Sequence, residues 1–186
     1  MLRPATDADL PLMLAWRNQD ANRSASIHQH VINADEHAAW WSRVQQDPTR
    51  RVLMFEYSGQ PLGVVTFFDH SAETRTVSWG FYLDHDGTTA AGTALLAWTK
   101  IMREAVAYAF SPEPDGLGVD VLEGEVLPHN ESVRTMNRRL GFTEGDPVDQ
   151  EVGDSVVTAI PVRLRREDSR TTRTQASTAG PHKEQS

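Results

Sequence analysis

Apolar positions change period along this chain of 186 residues, and the changes divide it into elements. Leu10, Leu12, Met13, Leu14 and Trp16 predict a first helix with Asp7 as its N-cap, ended by the polar run Arg17-Asn18-Gln19-Asp20. Asn33-Ala34-Asp35-Glu36 has the order of a capping box and opens a second helix through Ala38, Trp40, Trp41 and Val44, stopping near Asp47-Pro48. Val52 to Tyr57, Leu62 to Phe68 and Thr76 to Leu83 have strand composition. The turn Ser58-Gly59-Gln60-Pro61 and the polar run Asp69 to Arg75 join them, which predicts an antiparallel meander. Beyond Gly87-Thr88-Thr89, the residues Leu95, Trp98, Met102, Ala105, Val106 and Ala109 recur at spacings of three and four. They predict a long amphipathic helix that breaks at Ser111-Pro112-Glu113-Pro114. A strand over Gly118 to Val126, a helix over Asn130 to Leu140 closed by Gly141, and a last strand or hairpin over Val156 to Leu164 complete an α+β domain. From Arg166 to Ser186 the Ser, Thr, Arg and Gln-rich run has no apolar period. The domain is therefore expected over 1–165, with a disordered tail over 166–186.

Composition narrows the function classes. An apolar fraction of 39%, with five Trp and six Phe, suits a packed core, and the mean hydropathy of -0.48 reflects the polar tail. A net charge of -8 argues against broad nucleic-acid binding, which needs clustered Lys and Arg. Five basic and three acidic residues from Arg165 onward leave the body more acidic than the whole. No run of apolar residues is long enough to span a membrane, and the N-terminus lacks the pattern of a secretion signal. Without Cys there is no disulfide, thiolate metal site or cysteine nucleophile, and the His spacing suggests no metal site, so a cytoplasmic protein is expected.

The segment with most chemistry is the strand Val77-Ser78-Trp79-Gly80-Phe81-Tyr82-Leu83, the turn Gly87-Thr88-Thr89-Ala90-Ala91-Gly92-Thr93, and the start of the long helix. Small residues let backbone approach an anion, and free amides at a helix start attract it, so this turn suits a phosphate. A tight strand-to-helix connection would use the same residues. The turn lacks both the Lys-Ser/Thr of a P-loop and the three glycines of a dinucleotide fingerprint.

Taken with Gly124-Glu125-Val126-Leu127-Pro128-His129-Asn130-Glu131-Ser132 and Leu140-Gly141-Phe142, this segment resembles the GCN5-related N-acetyltransferases. The resemblance implies a mixed, mostly antiparallel sheet of six to seven strands flanked by about four helices, and acetyl-CoA as co-substrate without a metal. It aligns the family's pyrophosphate loop on Gly87, Thr88, Thr89, Ala90, Ala91 and Gly92, running on to Thr93. Gly87 stands there for a cationic or amide side chain and Ala90 for a glycine. It also implies that the strands at Thr76 to Leu83 and Gly118 to Val126 splay apart. Backbone groups of Phe81, Tyr82 and Leu83 would then hold the pantetheine arm and polarise the thioester, with Asn130 and Asn137 on the coenzyme side. Ala15-Trp16-Arg17-Asn18, Glu36-His37 with Trp40, and Trp79 to Leu83 look like the branch acetylating 4-amino sugar nucleotides in pseudaminic-acid synthesis. Ribosomal-protein N-terminal acetyltransferases share most of these features, and a non-catalytic acyl-CoA-binding protein is a further alternative.

Acetyl transfer needs the amine as a free base and a proton for the thiolate. Glu125, on the strand expected to line the cleft, is the candidate base, with Glu123 on the same face; a solvated edge charge is the alternative. Asn137 stands where many relatives place an acidic Tyr and does not titrate. It is expected to position the thiol or coenzyme, leaving Ser132, His129 or water as proton source. Asn130 also reads as an N-cap. Arg17, Asn18, His28 and Trp79 are candidate contacts for a small-molecule amine acceptor in a monomer or homodimer. His30, His70 and His85 read as solvated, and the other tryptophans as core.

Overall fold

The computed structural model describes residues 1–153 and 155–169. Its strands are β1 (Leu2–Pro4), β2 (Arg51–Tyr57), β3 (Gln60–Ser71), β4 (Thr76–Leu83), β5 (Val121–Val126), β6 (Thr143–Glu144), β7 (Val148–Val152) and β8 (Ser155–Arg165). The helices are α1 (Leu10–Arg17), α2 (Asp20–Ser24), α3 (Ala34–Val44), α4 (His85–Ala90), α5 (Ala94–Phe110) and α6 (Glu131–Leu140). In space the strands follow the order β1-β2-β3-β4-β5-β8-β6, with β7 hairpinned onto β8. Every neighbouring pair is antiparallel except β4 and β5. The domain is α+β, as the apolar pattern predicts. Eight strands and six α-helices among the described residues exceed the expected numbers because β1, β6, α2 and α4 are too short to leave a periodic trace.

The central strands are covered on both sides, so their sequences read as nearly continuous apolar runs. Leu53, Phe55, Val65, Phe67 and Val77 turn to one face, where α5 presents Ile101, Met102, Ala105, Val106 and Ala109. Met54 and Val64 turn to the other and meet Met13 and Trp16 of α1 and Trp41 of α3. Phe55 and Phe67 are fully buried, each stabilising the fold by roughly 1.5–3 kcal/mol through removal of apolar area from water.

Several boundaries differ from expectation, each for a local reason. Asp7 does not cap the first helix. Thr6 and Asp9 form a capping box around a 3-10 turn at Asp7–Asp9, and Asp7 instead accepts from Trp41 Nε1 at 2.7 Å. Asp9 is buried because Arg3 donates to both of its oxygens at 2.8 Å. The run after Arg17 does not remain a loop, since Asp20 opens α2. At Asn33 half of the expected capping box forms: its side chain accepts from the Glu36 amide, while the Glu36 carboxylate turns to His30. β3 continues through part of the polar run to Ser71, past an irregularity around Asp69. β5 begins only at Val121, because the amides of Asp120 and Val121 are drawn to the Arg75 carbonyl.

The folded body also extends beyond Arg165. Arg166–Asp168 forms a 3-10 turn, Arg166 Nη2 donates to the Val119 carbonyl at 2.6 Å, and Ser169 is buried. Gly141, in the left-handed region with φ 103, closes α6 where a Cβ would lie 2.6 Å from the Asp168 carbonyl. The remainder of the expected tail, 170–186, lies outside the described residues.

Phe67→Ala is expected to cost about 3–5 kcal/mol in equilibrium denaturation, the usual penalty for an emptied aromatic site in a core. The Arg3 guanidinium, ahead of burial and the Thr6 bonds, holds the Asp9 carboxyl down to about 2. A group depressed in the folded state stabilises above its unfolded pKa and loses that contribution as pH falls through the folded one. Stability should therefore drop between about pH 4 and pH 2, and Arg3→Met should flatten this part of the denaturation profile.

Candidate active site

β4 and β5 are ladder partners only at Thr76↔Val121, Val77↔Leu122 and Ser78↔Glu123, after which the strands part. Alternate residues of a strand turn their backbone groups to the same edge. The Asp84 amide donates to Leu62 on β3, whereas the Arg75 carbonyl accepts from Asp120 beside β5. The amides of Phe81 and Leu83 thus face the gap beyond the last ladder bond at Trp79, and that of Tyr82 faces β3. Asn22 of α2 donates through Nδ2 to the Leu83 carbonyl and to the Trp16 carbonyl, both at 2.7 Å. Gln19 binds Asp84 Oδ1 and the His85 amide. The α1–α2 corner therefore holds the free end of β4 in place.

A cavity of about 1370 Å³ occupies the gap and is lined from both faces of the sheet. On the face of α5 and α6 its walls include Leu95, Trp98, Val126, Asn130, Val133 and Asn137. Trp79 is 93% buried, stacks on Phe81 and Phe142 with ring centroids 5.5 and 6.0 Å apart, and closes the base of the gap beside Gly124. On the face of α1 the walls include Arg17, His28, Phe68, Gly80, Tyr82 and Glu125.

The candidate residues divide accordingly. Asn137 is buried and lines the α5–α6 wall, and Asn130 caps α6 by accepting from Val133 at 3.4 Å while lining the cavity. Ser132 lines the same wall and is exposed. Glu125 reaches the opposite face, where Gln150 of β7 donates to its carboxylate, and Glu123 beside it is paired with Arg163. His129 turns away toward the Ser24 carbonyl. Asn18 is not in the cavity: its amide is fully used in a two-way bond with the backbone of Ile32, so it fastens the segment between α2 and α3. The Tyr82 ring lies on the α1 face, and burial pushes its phenol well above the usual value.

The expected phosphate loop is the main correction. Gly87 to Ala90 belong to α4, capped by Asp84, and the amides of Gly87, Thr88, Ala91, Gly92 and Thr93 are all spent on local bonds. Of that segment only Thr88 lines the cavity; Gly87, Thr89, Ala90, Ala91, Gly92 and Thr93 do not. Free amides occur one turn later, at Ala94, Leu95 and Leu96, where α5 begins without a side-chain cap and Leu95 is 68% exposed. Asn22 and Gln150 escape sequence reasoning because each sits in a polar run without period, and only long-range contacts give them work. Among the described residues no group of three or more His, Asp or Glu could hold a metal ion, and no helix is long and apolar enough to cross a membrane.

Comparison with solved structures gives the same architecture. A spermidine N-acetyltransferase from Vibrio cholerae in complex with CoA and spermine is 16% identical, with 90% of this chain and 96% of that one covered and a TM-score of 0.74. An N-acetyltransferase from Staphylococcus aureus Mu50 is 18% identical, with coverages of 89% and 97% and a TM-score of 0.66. No curated protein matches the chain. The Acetyltransferase (GNAT) domain family matches residues 1–143, the stretch that supplies α1 to α6, the parted strands and most of the residues lining the cavity. The chain belongs to the GNAT acetyltransferase family, and its co-substrate is acetyl-CoA.

Proposed function

We propose that the two faces of the cavity divide the reaction, acetyl-CoA entering from the α5–α6 side and a primary amine from the α1 side. The favoured acceptor is a 4-amino-4,6-dideoxy sugar nucleotide, acetylated in the cytoplasm. The observation that carries the division is the parting of β4 from β5 after Ser78 and Glu123, which leaves the Phe81 and Leu83 amides unpaired at the gap. Such amides pair with the amide groups of a pantetheine arm and stabilise negative charge on a thioester oxygen during attack. The pyrophosphate is assigned to the free amides of Ala94 to Leu96, where the start of the 17-residue α5 supplies its dipole. Asn137 and Asn130 fit the remaining polar groups of the coenzyme.

Attack requires the neutral amine. Glu125 is positioned on the acceptor face with Gln150 fixing its carboxylate, and takes the amine proton through water. The amine then bonds to the thioester carbon, the C–S bond breaks, and the proton still carried by the nitrogen passes to the thiolate, relayed by Ser132 or water, which gives one proton as it takes another. The sugar-nucleotide preference rests on the likeness of Arg17-Asn18, Glu36-His37 and Trp79 to Leu83 to that branch, and on a cavity large enough for more than a simple amine.

Calorimetry with acetyl-CoA and thiol release with amino-sugar nucleotides, spermidine and N-terminal peptides test the reading. Binding together with sugar-nucleotide turnover is expected; turnover of peptides alone would assign the acceptor to protein N-termini, and binding without turnover would leave an acyl-CoA sensor. Gly80 offers a sharper check, because a Cβ there meets nothing within 4 Å. Gly80→Leu should fold normally and bind acetyl-CoA unchanged, while raising acceptor KM about tenfold or more by filling the acceptor side.

A further inference from the structure

Arg17 leaves α1 and reaches the wall of the cavity beside Tyr82. Its Nη2 donates to the His28 carbonyl at 2.6 Å, which anchors the guanidinium. Its Nη1 is buried, and among the described residues it has no hydrogen-bond partner and no carboxylate within ion-pair distance. Arg23, on α2, repeats the pattern: Nη2 is paired with Asp20, while Nε is buried without a partner. Burial pushes the Arg17 guanidinium down and the nearby Arg23 charge adds to it, while Tyr82 and Glu36 oppose the shift. A buried donor on a cation is costly to leave unmade, and two such cations near one another compound the cost. The acidic side chains lining this cavity make no ion pair with Arg17: Glu123 is held by Arg163, Glu144 by Arg134 and Glu125 by Gln150, and Asp69 forms none with it.

We infer that Arg17 receives an oxyanion of the acceptor, a carboxylate or a phosphate, so that the enzyme acetylates amines that carry negative charge and discriminates against polyamines. This rests on the acetyl-transfer reading above. The anion enters from the cavity where Arg17 lines the wall beside Ala25, Ser26 and His28, and a small rotation of the guanidinium about its bond to the His28 carbonyl brings the unpartnered Nη1 to it. A polycation such as spermidine would bring charge of the same sign to a guanidinium whose nearest acidic influence, Glu36, makes no direct ion pair with it and is bonded to His30. The coenzyme's own phosphates do not serve this group, because the start of α5 lies on the other face of the sheet.

Matched amines separate the anion from the rest of the acceptor: glucosamine against glucosamine 6-phosphate, lysine amide against lysine, and spermidine. Thiol release should favour the charged member of at least one pair by about tenfold or more in kcat/KM, the phosphate and carboxylate pairs telling the two sources apart. Arg17→Gln should raise KM for that member about 10- to 100-fold with kcat within about twofold, and Arg17→Lys should restore part of it. Acetyl-CoA affinity should stay unchanged in both variants. Equal turnover of spermidine or the uncharged members, an unchanged KM in Arg17→Gln, or failure of every anion-bearing amine to react would overturn the inference. Loss of acetyl-CoA binding by the unaltered protein would remove the acetyl-transfer reading itself, a separate result of the same calorimetry.

Discussion

Two parallel strands that pair over three residues and then separate set the form of this molecule. A strand edge exposes a donor and an acceptor at every second residue, and these groups need partners. Here β4 is paired with β3 on one edge, from Ser78 to Leu83, and open on the other beyond its bridge at Ser78↔Glu123. Keeping such a gap open takes structure on every side. Trp79, stacked on Phe142, fills its base, β8 holds β5 away, and the α1–α2 corner binds the far end of β4 through Asn22 and Gln19. The rigid two-faced core under β2 to β4 supplies the platform from which β4 can project an unpaired edge without collapsing.

The gap also divides chemistry between faces. Strand alternation sends Trp79 and Phe81 to the side of α5 and α6, and Gly80 and Tyr82 to the side of α1. The amides of Phe81 and Leu83 lie between the two, in reach of a group entering from either. A coenzyme and an acceptor can thus approach the same point from opposite directions without competing for one wall. The short helix α4 has a part in this arrangement: by consuming the amides of Gly87 to Thr93 locally, it leaves the start of α5 as the donor-rich surface near the gap.

Electrostatically the two faces differ. On the α1 face the carboxylates of Glu123 and Glu125 each have a partner from β7 or β8, whereas the one hydrogen bond of the Arg17 guanidinium among the described residues goes to a backbone carbonyl. The body's excess of acidic residues therefore says little about this pocket, because net charge is a property of the surface as a whole and recognition depends on the few groups left unpaired.

The long periodic elements were legible from residues alone. α3 with its Asn33 cap, the core of β2 to β4, the buried stripe of α5, and α6 between Asn130 and Gly141 follow from local rules of spacing and capping, which act over a few residues. Trp79, Phe81, Glu125, Asn130 and Asn137, which the family resemblance and strand alternation single out, all line the cavity. Tertiary structure decided the rest. Thr6 displaced Asp7 as a cap because Arg3 from another strand fixed Asp9, and Asp20 to Ser24 became helical because Asn22 bonds Leu83 across 61 positions of chain. Asn18 lost its place in the pocket to a backbone bond with Ile32, and the Gly87-to-Gly92 turn closed on itself around Asp84. In each case the deciding partner is remote or competes with an equally plausible local one. Composition and period report what a residue can do, and only the folded chain fixes which of its possible partners it meets.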